Sequence, residues 1–271
     1  MFRDLYIGFI GGGNMGEALI RGLVTASLLK PQQILVYDVI EERLKFLQQQ
    51  YGVHLAPSSP TLAAGCQLIV LAVKPQTMDR ALKAIHSSLD HQPLVISIAA
   101  GIPLATLEAG LPDKVPIIRV MPNTPALVQQ GASALARGRY ASDADMELAL
   151  KLFRAVGKAV EVEEKSMDAV TGLSGSGPAY ILLLLESLID AGVLEGLPRA
   201  TARELVIQTA LGTATMLAQS EKHPGELKDM ITSPGGTTIH GLQILEERGV
   251  RGALMAAVDA ATRRSRELGK K

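Results

Sequence analysis

A short apolar segment that runs through a glycine-rich turn into a helix restricts the fold of this chain more than any other feature. Leu5–Ile10 predicts a buried strand, and Asn14–Leu29 predicts an amphipathic helix. Between them lies Gly11-Gly12-Gly13-Asn14-Met15-Gly16, with glycines at the first, third and sixth positions. In such a turn the first glycine permits a tight bend, the second lets the backbone approach a pyrophosphate, and the third lets the helix pack on the strand. The segment therefore predicts a dinucleotide-binding strand–helix unit.

The rest of the chain divides into two halves with different patterns. Strand and helix signals alternate through the first half, and Leu68–Val73 is a continuous apolar run typical of a strand buried on both faces of a parallel sheet. From about Asp143 onward the segments are long and helical. We expect an α/β fold class, with an N-terminal Rossmann-type doubly wound sheet over residues 1–163 followed by an all-α helical domain over residues 164–271.

One helix of the second half is apolar on nearly every face. Ala179–Leu194 carries only a few polar side chains, and such a helix has to be covered on several sides. A helical half of this size does not easily cover such a helix alone. We therefore expect a helical dimerisation domain and a two-fold homodimer or larger assembly.

Composition excludes some partners. The chain has 27 basic and 27 acidic residues, which gives no basic footprint for nucleic acid or for an anionic membrane. The most apolar stretch, Ala179–Leu185, is shorter than the roughly 20 residues that span a bilayer. Cys66 is the only cysteine, and the histidines lack ligand spacing, so we expect no disulfide and no metal site. We expect a cytoplasmic protein that binds neither nucleic acid nor membrane.

Three loops that follow strands are the candidate nucleotide site, because ligands bind at the carboxyl ends of strands in open α/β sheets. Asp38 ends the second strand, where its carboxylate would accept hydrogen bonds from a ribose and repel a 2′-phosphate. No arginine follows at once, although Arg43 lies within reach, so NADPH or NADH is the expected cofactor and Asp38 leans toward NADH. Alternatively Asp38 only caps the next helix, and Lys74 is a solvated surface lysine. The candidate cofactor-binding residues are Ile10, Gly11, Gly13, Asn14, Met15, Asp38, Ala72, Val73, Lys74, Pro75 and Asn123.

Two glycine-rich elements in the helical half are candidates for binding a substrate anion. The first, Thr171–Tyr180, contains Gly172, Gly175 and Gly177 before an apolar helix, and the second is Ser233-Pro234-Gly235-Gly236-Thr237-Thr238. Glycines that lead into a helix expose backbone N–H groups, which favour a carboxylate. Ordinary helix capping by Ser and Thr is the alternative for each element taken singly.

Together these elements resemble the pyrroline-5-carboxylate reductases over nearly the whole chain. The resemblance implies a Rossmann domain, a helical dimerisation domain, and active sites where the helices of one subunit meet the nucleotide domain of the other. It implies reduction of 1-pyrroline-5-carboxylate to proline, often in rings of dimers. The departure is Asp38, where the family often has Asn, Ser or an adjacent Arg, and this puts the cofactor in doubt. The matching stretches are Ile7–Gly16, Leu71–Gln76, Asn123–Pro125, Asp168–Tyr180, His223–Asp229 and Ser233–His240.

The same resemblance assigns the substrate site. The backbone at Ser233, Gly235, Gly236 and Thr237 would hold the substrate carboxylate, and the catalytic hydroxyl of Thr238 would bond the ring nitrogen. A protonated cyclic imine already carries its charge, so its reduction needs no strong acid, whereas a ketone needs a donor such as His or Lys. His240 falls on a different helix face from Thr238.

Two other functions stay open at this stage. A β-hydroxyacid dehydrogenase also joins a Rossmann domain to a helical domain, but it relies on a lysine, for which Lys222 and Lys228 are the nearest candidates. A non-catalytic NAD(H)-binding redox sensor would need neither a carboxylate site nor the Thr238 hydroxyl. Oxidation of NADH or NADPH by pyrroline-5-carboxylate distinguishes the reductase from both, and activity on 3-hydroxyisobutyrate distinguishes the dehydrogenase from the sensor.

Overall fold

The computed structural model describes residues 5–269, which form two compact units. The first, here called the sheet unit, comprises residues 5–176 together with 260–269. The second, here called the helical unit, comprises residues 177–259. The expected domain boundary after Glu163 remains a prediction, and the outermost residues of the expected ranges, 1–4 and 270–271, lie outside the described part.

The sheet unit is built on an eight-stranded sheet with the order β3-β2-β1-β4-β5-β6-β7-β8. All neighbouring strands are parallel except β6 and β7, which are antiparallel. The first six strands have the order of a doubly wound dinucleotide-binding sheet, so the expected fold class is confirmed. The strands are β1 (Ile7–Ile10), β2 (Ile34–Tyr37), β3 (His54–Leu55), β4 (Leu68–Leu71), β5 (Leu94–Ser97), β6 (Ile117–Met121), β7 (Gly131–Arg137) and β8 (Gly157–Glu161).

Helices cover both faces of this sheet. One buried cluster joins Phe9 and Ile96 to Leu19 and Phe153, and the other joins Ile69 and its neighbours to helices on the opposite face. Strands β1, β4 and β5 are fully buried, which explains their continuous apolar sequences. The helices are α1 (Asn14–Thr25), α2 (Glu41–Tyr51), α3 (Ser59–Gly65), α4 (Met78–Ile85), α5 (Leu104–Gly110), α6 (Asp143–Arg154) and α7 (Met167–Val170).

The helical unit buries very little of its own apolar surface. Only Ala202 and Leu227 are buried among residues 177–259. Its closest helix packing is between α8 and α9, where a side chain on Gly192 would lie 3.0 Å from Cβ of Ala202. The helices are α8 (Gly177–Leu194), α9 (Arg199–Ala218), α10 (Pro224–Met230), α11 (Thr237–Glu247) and α12 (Val250–Leu268), and the last of these ends in the sheet unit.

The helical run Glu164–Leu194 is longer than the apolar stretch that the sequence suggested. It has 31 residues and a mean hydropathy of 1.6 in its most apolar window, so length and composition alone would let it cross a membrane. It also contains a π-helical segment, Thr171–Gly175, between α7 and α8. The expectation that the apolar stretch is too short to span a bilayer is therefore wrong for the folded helix. Length and composition alone do not explain why its apolar surface is exposed.

The candidate active site

The glycine turn after β1 has the shape that a pyrophosphate site requires. Gly11 has φ of +103°, and a side chain there would lie 2.5 Å from the backbone oxygen of Ala72. A side chain on Gly16 would lie 2.7 Å from the backbone oxygen of Gly11, whereas nothing lies within 4 Å of the position beside Gly13. Gly13 precedes α1 without a side-chain cap, so the first N–H groups of the helix are available to an anion. The residues present therefore fit a dinucleotide.

The turn lies where the strand order of the sheet reverses. Strand β1 pairs with β2 on one side and β4 on the other. The N–H of Gly11 donates to the backbone oxygen of Tyr37 at 2.8 Å, and the N–H of Ala72 donates to that of Ile10 at 2.8 Å. Ligands of open α/β sheets bind at this kind of switch point. The structure thus brings the ends of β1, β2 and β4 together, and with them Ile10, Gly11, Asp38 and Ala72.

Asp38 is tied to the glycine turn by its own hydrogen bonds. Its Oδ2 accepts from the N–H of Gly12 at 2.6 Å, and its Oδ1 accepts from the N–H of Ile40 at 2.9 Å. The N-terminal position before α2 belongs to Ile40, which has no side-chain cap. Asp38 is therefore not the N-cap residue of α2, and the expected ribose contact remains a prediction.

The loops after β4 and β6 differ in whether their polar side chains are exposed or buried. Lys74 is exposed, and its backbone oxygen accepts from the N–H and the hydroxyl of Thr77, both at 2.9 Å. Asn123 is buried, its Oδ1 accepts from the N–H of Ala132 at 2.8 Å, and its Nδ2 donates to the backbone oxygen of Ser174 at 3.0 Å. The amide of Asn123 thus fastens β7 and the π-helical segment to the end of β6. Contacts of Val73, Lys74, Pro75 and Asn123 with a cofactor remain predictions.

The turn Ser233–Thr238 in the helical unit has features that suit an anion. Gly235 has φ of +66°, and its neighbour Gly236 precedes α11 without a side-chain cap. The N–H of Gly236 donates to the backbone oxygen of Ser233 at 3.0 Å. Thr237 and Thr238 occupy the first turn of α11, where the helix dipole and the free N–H groups favour a carboxylate.

The other glycine-rich element is different from what its sequence suggests. Thr171–Gly175 is π-helical inside a continuous helical run, and the N–H of Ser176 donates to the backbone oxygen of Thr171 at 2.9 Å. The expected set of free helix-start N–H groups is therefore wrong for this segment. Gly175 instead allows close packing, because a side chain there would lie 2.5 Å from Cε of Met121.

Nearby polar residues of the helical unit have structural partners. Nδ1 of His240 lies 2.9 Å from the backbone oxygen of Gly236, and Nδ1 of His223 accepts from the N–H of Gly225 at 3.1 Å before α10. Lys228, one of the candidate lysines for a dehydrogenase, forms an ion pair with Asp229 at 2.7 Å. These contacts do not form a pair of His and carboxylate next to Thr238.

Comparison with known proteins decides the family. The model described as pyrroline-5-carboxylate reductase dimerisation matches residues 164–268, and the one described as NADP oxidoreductase coenzyme F420-dependent matches residues 6–101. A pyrroline-5-carboxylate reductase of Methanosarcina acetivorans is 48% identical over 98% of this chain and 98% of its own length. The chain belongs to the pyrroline-5-carboxylate reductase family. It is an oxidoreductase of proline biosynthesis that reduces pyrroline-5-carboxylate to proline.

Other members of the pyrroline-5-carboxylate reductase family support the same assignment. The Escherichia coli reductase is 41% identical over 97% of this chain and 98% of its own length. A solved structure of a pyrroline-5-carboxylate reductase from Coxiella burnetii has a TM-score of 0.94 with 35% identity, and the match covers 99% of this chain and 100% of that one. A Plasmodium falciparum reductase with NADP bound has a TM-score of 0.90 with 36% identity, and covers 99% and 100%. The sheet unit of this reductase is thus an NAD(P)-binding oxidoreductase fold.

Beside the glycine turn, Arg43 has two partners that were not expected from the sequence, Glu17 and the backbone of Gly12. Glu17 on α1 accepts hydrogen bonds from Arg43 and from the hydroxyl of Tyr51, both on α2. Arg43 also donates from Nε to the backbone oxygen of Gly12. A glutamate on one helix gives no sequence signal for an arginine 26 positions later, because the pairing depends on how α1 and α2 pack.

Proposed function

We propose that the chain performs its reduction by positioning, with the substrate carboxylate at the turn before α11 and the ring nitrogen at Thr238. The backbone at Ser233, Gly235, Gly236 and Thr237 holds the carboxylate. The observation that carries the proposal is the positive φ of Gly235 followed by the uncapped start of an 11-residue helix. Such a helix start supplies several N–H groups and a positive dipole end to an anion.

The chemistry of the substrate explains why this site has no strong acid. A protonated cyclic imine gains a hydride at carbon and becomes a neutral amine, so no alkoxide has to be protonated. The hydroxyl of Thr238 accepts the N–H of the iminium and thereby fixes which carbon is presented. Alignment of this kind contributes several kcal/mol toward a barrier.

The sheet unit supplies the cofactor site in this proposal. A bound NADH or NADPH provides the hydride. Ile10, Gly11, Gly13, Asn14 and Met15 hold the pyrophosphate against α1, and Asp38 accepts hydrogen bonds from the adenosine ribose. Ala72, Val73, Lys74, Pro75 and Asn123 line the nicotinamide end. The carboxylate of Asp38 favours NADH over NADPH, because it repels a 2′-phosphate.

The assembly completes the site in this proposal. The family model that matches residues 164–268 is a dimerisation model, and this range includes α8, an apolar helical run none of whose residues is buried. We infer that a second subunit covers that run in a two-fold homodimer, or in a ring of such dimers. Each active site then lies at the subunit interface. We further infer a soluble, cytoplasmic enzyme.

Replacing Thr238 tests the proposed role of its hydroxyl. Thr238→Ala should lower kcat with pyrroline-5-carboxylate by about 100-fold, the size typical of losing one positioned polar group. The dissociation constant of NADH should change less than about twofold, because no cofactor contact is removed. Thr238→Ser keeps the hydroxyl and should recover most of the turnover. Full activity of Thr238→Ala would remove the hydroxyl from the mechanism, and a wild type that binds NADH without oxidising it would favour the sensor.

A further inference from the structure

Gly12, the second residue of the glycine turn, is contacted by two opposite charges, the carboxylate of Asp38 and the guanidinium of Arg43. Asp38 accepts from the N–H of Gly12 at 2.6 Å, while Nε of Arg43 donates to the backbone oxygen of the same residue. The side-chain position of Gly12 lies 3.6 Å from Oδ2 of Asp38 and 3.6 Å from Cγ of Arg43. The carboxylate of Asp38 and the side chain of Arg43 therefore lie next to the same residue, close to the end of β2.

This arginine is already engaged by another residue. Nη2 of Arg43 donates to Oε2 of Glu17, and its guanidinium lies 5.0 Å from the centre of the Phe46 ring. Oε1 of Glu17 accepts from the hydroxyl of Tyr51 at 2.7 Å. Partial burial raises the pKa of Glu17, but the hydrogen bonds from Arg43 and Tyr51 outweigh it, and the pKa lies below its usual value. Glu17 is therefore an anion at neutral pH.

The chemical difference between the two cofactors lies at the end of the second strand. An acidic side chain there accepts hydrogen bonds from the 2′-hydroxyl of NADH, and a nearby arginine accommodates the 2′-phosphate of NADPH. The planar guanidinium suits phosphate because it donates two parallel hydrogen bonds. In this chain the acid is Asp38, and the arginine within reach of it is Arg43.

We propose that Glu17 sets the cofactor preference of this reductase by holding the guanidinium of Arg43 away from a 2′-phosphate. The proposal rests on the cofactor site described under the proposed function. Ionised Glu17 and the phosphate compete for the guanidinium of Arg43, whose Nη2 donates to Glu17 while its Nε donates to the backbone oxygen of Gly12. Glu17 is a specificity-determining residue that acts through Arg43, and it touches no reacting atom.

Direct binding of each cofactor, without substrate, tests this proposal on the full-length enzyme. The dissociation constants of NADPH and NADH are measured by calorimetry for wild type and for Glu17→Gln, which keeps the shape and removes the charge. We expect NADPH to bind about tenfold more tightly in Glu17→Gln, since a charge-assisted hydrogen bond is worth about one factor of ten or more. Binding of NADH should change less than about twofold.

Two further variants separate release of the arginine from other effects. Glu42→Gln removes an exposed charge from the first turn of α2 without touching the pair, and should shift the NADPH constant less than about twofold. Arg43→Met should change it little in wild type, because the arginine is already occupied. In Glu17→Gln, Arg43→Met should abolish the tenfold gain.

Several results would overturn the proposal. One is an equal loss of affinity for both cofactors in Glu17→Gln, which would mean that the ion pair only holds α1 and α2 together. Another is a gain that survives Arg43→Met, which would mean a simple loss of repulsion. A third is a tenfold loss of NADPH binding in Arg43→Met alone, since the arginine would then already serve the phosphate. The proposed function would fail differently, through a wild type that binds neither cofactor or does not reduce pyrroline-5-carboxylate.

Discussion

The two units of this chain bury their apolar residues to very different extents. The sheet unit has two continuous clusters, one on each face of the sheet, and many of their members are fully buried. The helical unit has two buried apolar residues, Ala202 and Leu227, over residues 177–259. Its apolar residues are as abundant, but they face outward. The sheet unit therefore buries its apolar core within one chain, whereas the apolar side chains of the helical unit need a partner surface.

The exposed residues of the helical unit are too many to be scattered surface positions. Three consecutive residues of α8 are more than half exposed, and consecutive positions on a helix point in directions about 100° apart. Contiguous apolar surface of this kind marks a protein or membrane interface, and the match of residues 164–268 to a dimerisation model favours a protein partner. The large exposed residues are Ile181, Leu182, Leu183, Leu188, Leu194, Leu197, Leu205, Ile207, Leu211, Met216, Leu217, Met230, Ile231, Ile239, Ile244, Leu245, Leu254 and Met255.

Charging the exposed surface of α8 gives the largest expected effect. Leu182→Lys combined with Leu183→Lys should dissociate the assembly, because each buried lysine at an interface leaves an unpaired charge. Turnover should fall by about 100-fold or more, since the proposed site needs two subunits. Binding of NADH should stay within about threefold, because the sheet unit is intact. Light scattering gives the mass, and calorimetry gives the binding.

An exposed valine of the sheet unit provides the matched control. Val160 on the last strand is 57% exposed, close to the 65% of Leu182, and lysine is well tolerated at such a strand. Val160→Lys should leave mass and turnover unchanged. An intact assembly in the double α8 variant would break the comparison, since the helical unit would then need no partner at this helix.

Replacing Gly11 of the sheet unit or Gly235 of the helical unit, both of which have positive φ, gives the next largest effect. A methyl group on Gly11 would meet the oxygen of Ala72 at 2.5 Å, whereas nothing lies within 4 Å of that position on Gly235. Gly11→Ala should cost about 3 kcal/mol or more, from strain and a backbone clash together. Gly235→Ala should cost about 1 kcal/mol, from backbone strain alone.

The functional readouts of these two variants should also separate. Gly11→Ala should weaken NADH binding, while Gly235→Ala should raise the KM for pyrroline-5-carboxylate and leave NADH binding intact. Thermal midpoints, calorimetry and steady-state kinetics measure the three effects. Equal destabilisation by both variants would mean that the turn of the helical unit is as tightly packed as the glycine turn of the sheet.

Much of the sheet unit could be predicted because its signals are local. Strand β2 ends directly before Asp38, where the sequence predicts the end of the second strand, and the glycine turn lies between β1 and α1 as its spacing requires. Strand β7 was missed, since Gly131–Arg137 is rich in alanine and is held as a strand by pairing with both β6 and β8. Helices α3 and α5 were missed because seven residues show too little helical period.

The parts of the site that sequence reasoning missed depend on distant contacts. The amide of Asn123 holds Ala132 and Ser174, and neither partner could be predicted from the sequence. The glycines of Thr171–Gly175 suggested a helix start, but the neighbouring helices continue through them as a π-helix. The pairing of Glu17 with Arg43 needs α1 packed on α2. None of these contacts has a fixed spacing, so only the folded chain reveals them.

The single cysteine gives a smaller effect than Gly11→Ala and probes the buried interior of the sheet unit. Cys66 is fully buried, and burial raises the pKa of its thiol to about 12. In the unfolded chain the thiol ionises near a pKa of about 8.5, so raising the pH favours unfolding above that value. Stability from this group is complete below about pH 8.5 and should fall by about 1.4 kcal/mol at pH 9.5.

Cys66→Ala isolates this contribution from all other titrations. The variant is less stable at neutral pH because it leaves a cavity, but its loss between pH 7.5 and pH 9.5 should be smaller than that of wild type by about 1.4 kcal/mol. Denaturant unfolding at both pH values measures the difference. The same loss in both proteins would mean that water reaches the thiol in the native state. The sheet unit would then be less tightly closed than its buried clusters imply, and the contrast with the helical unit would be smaller.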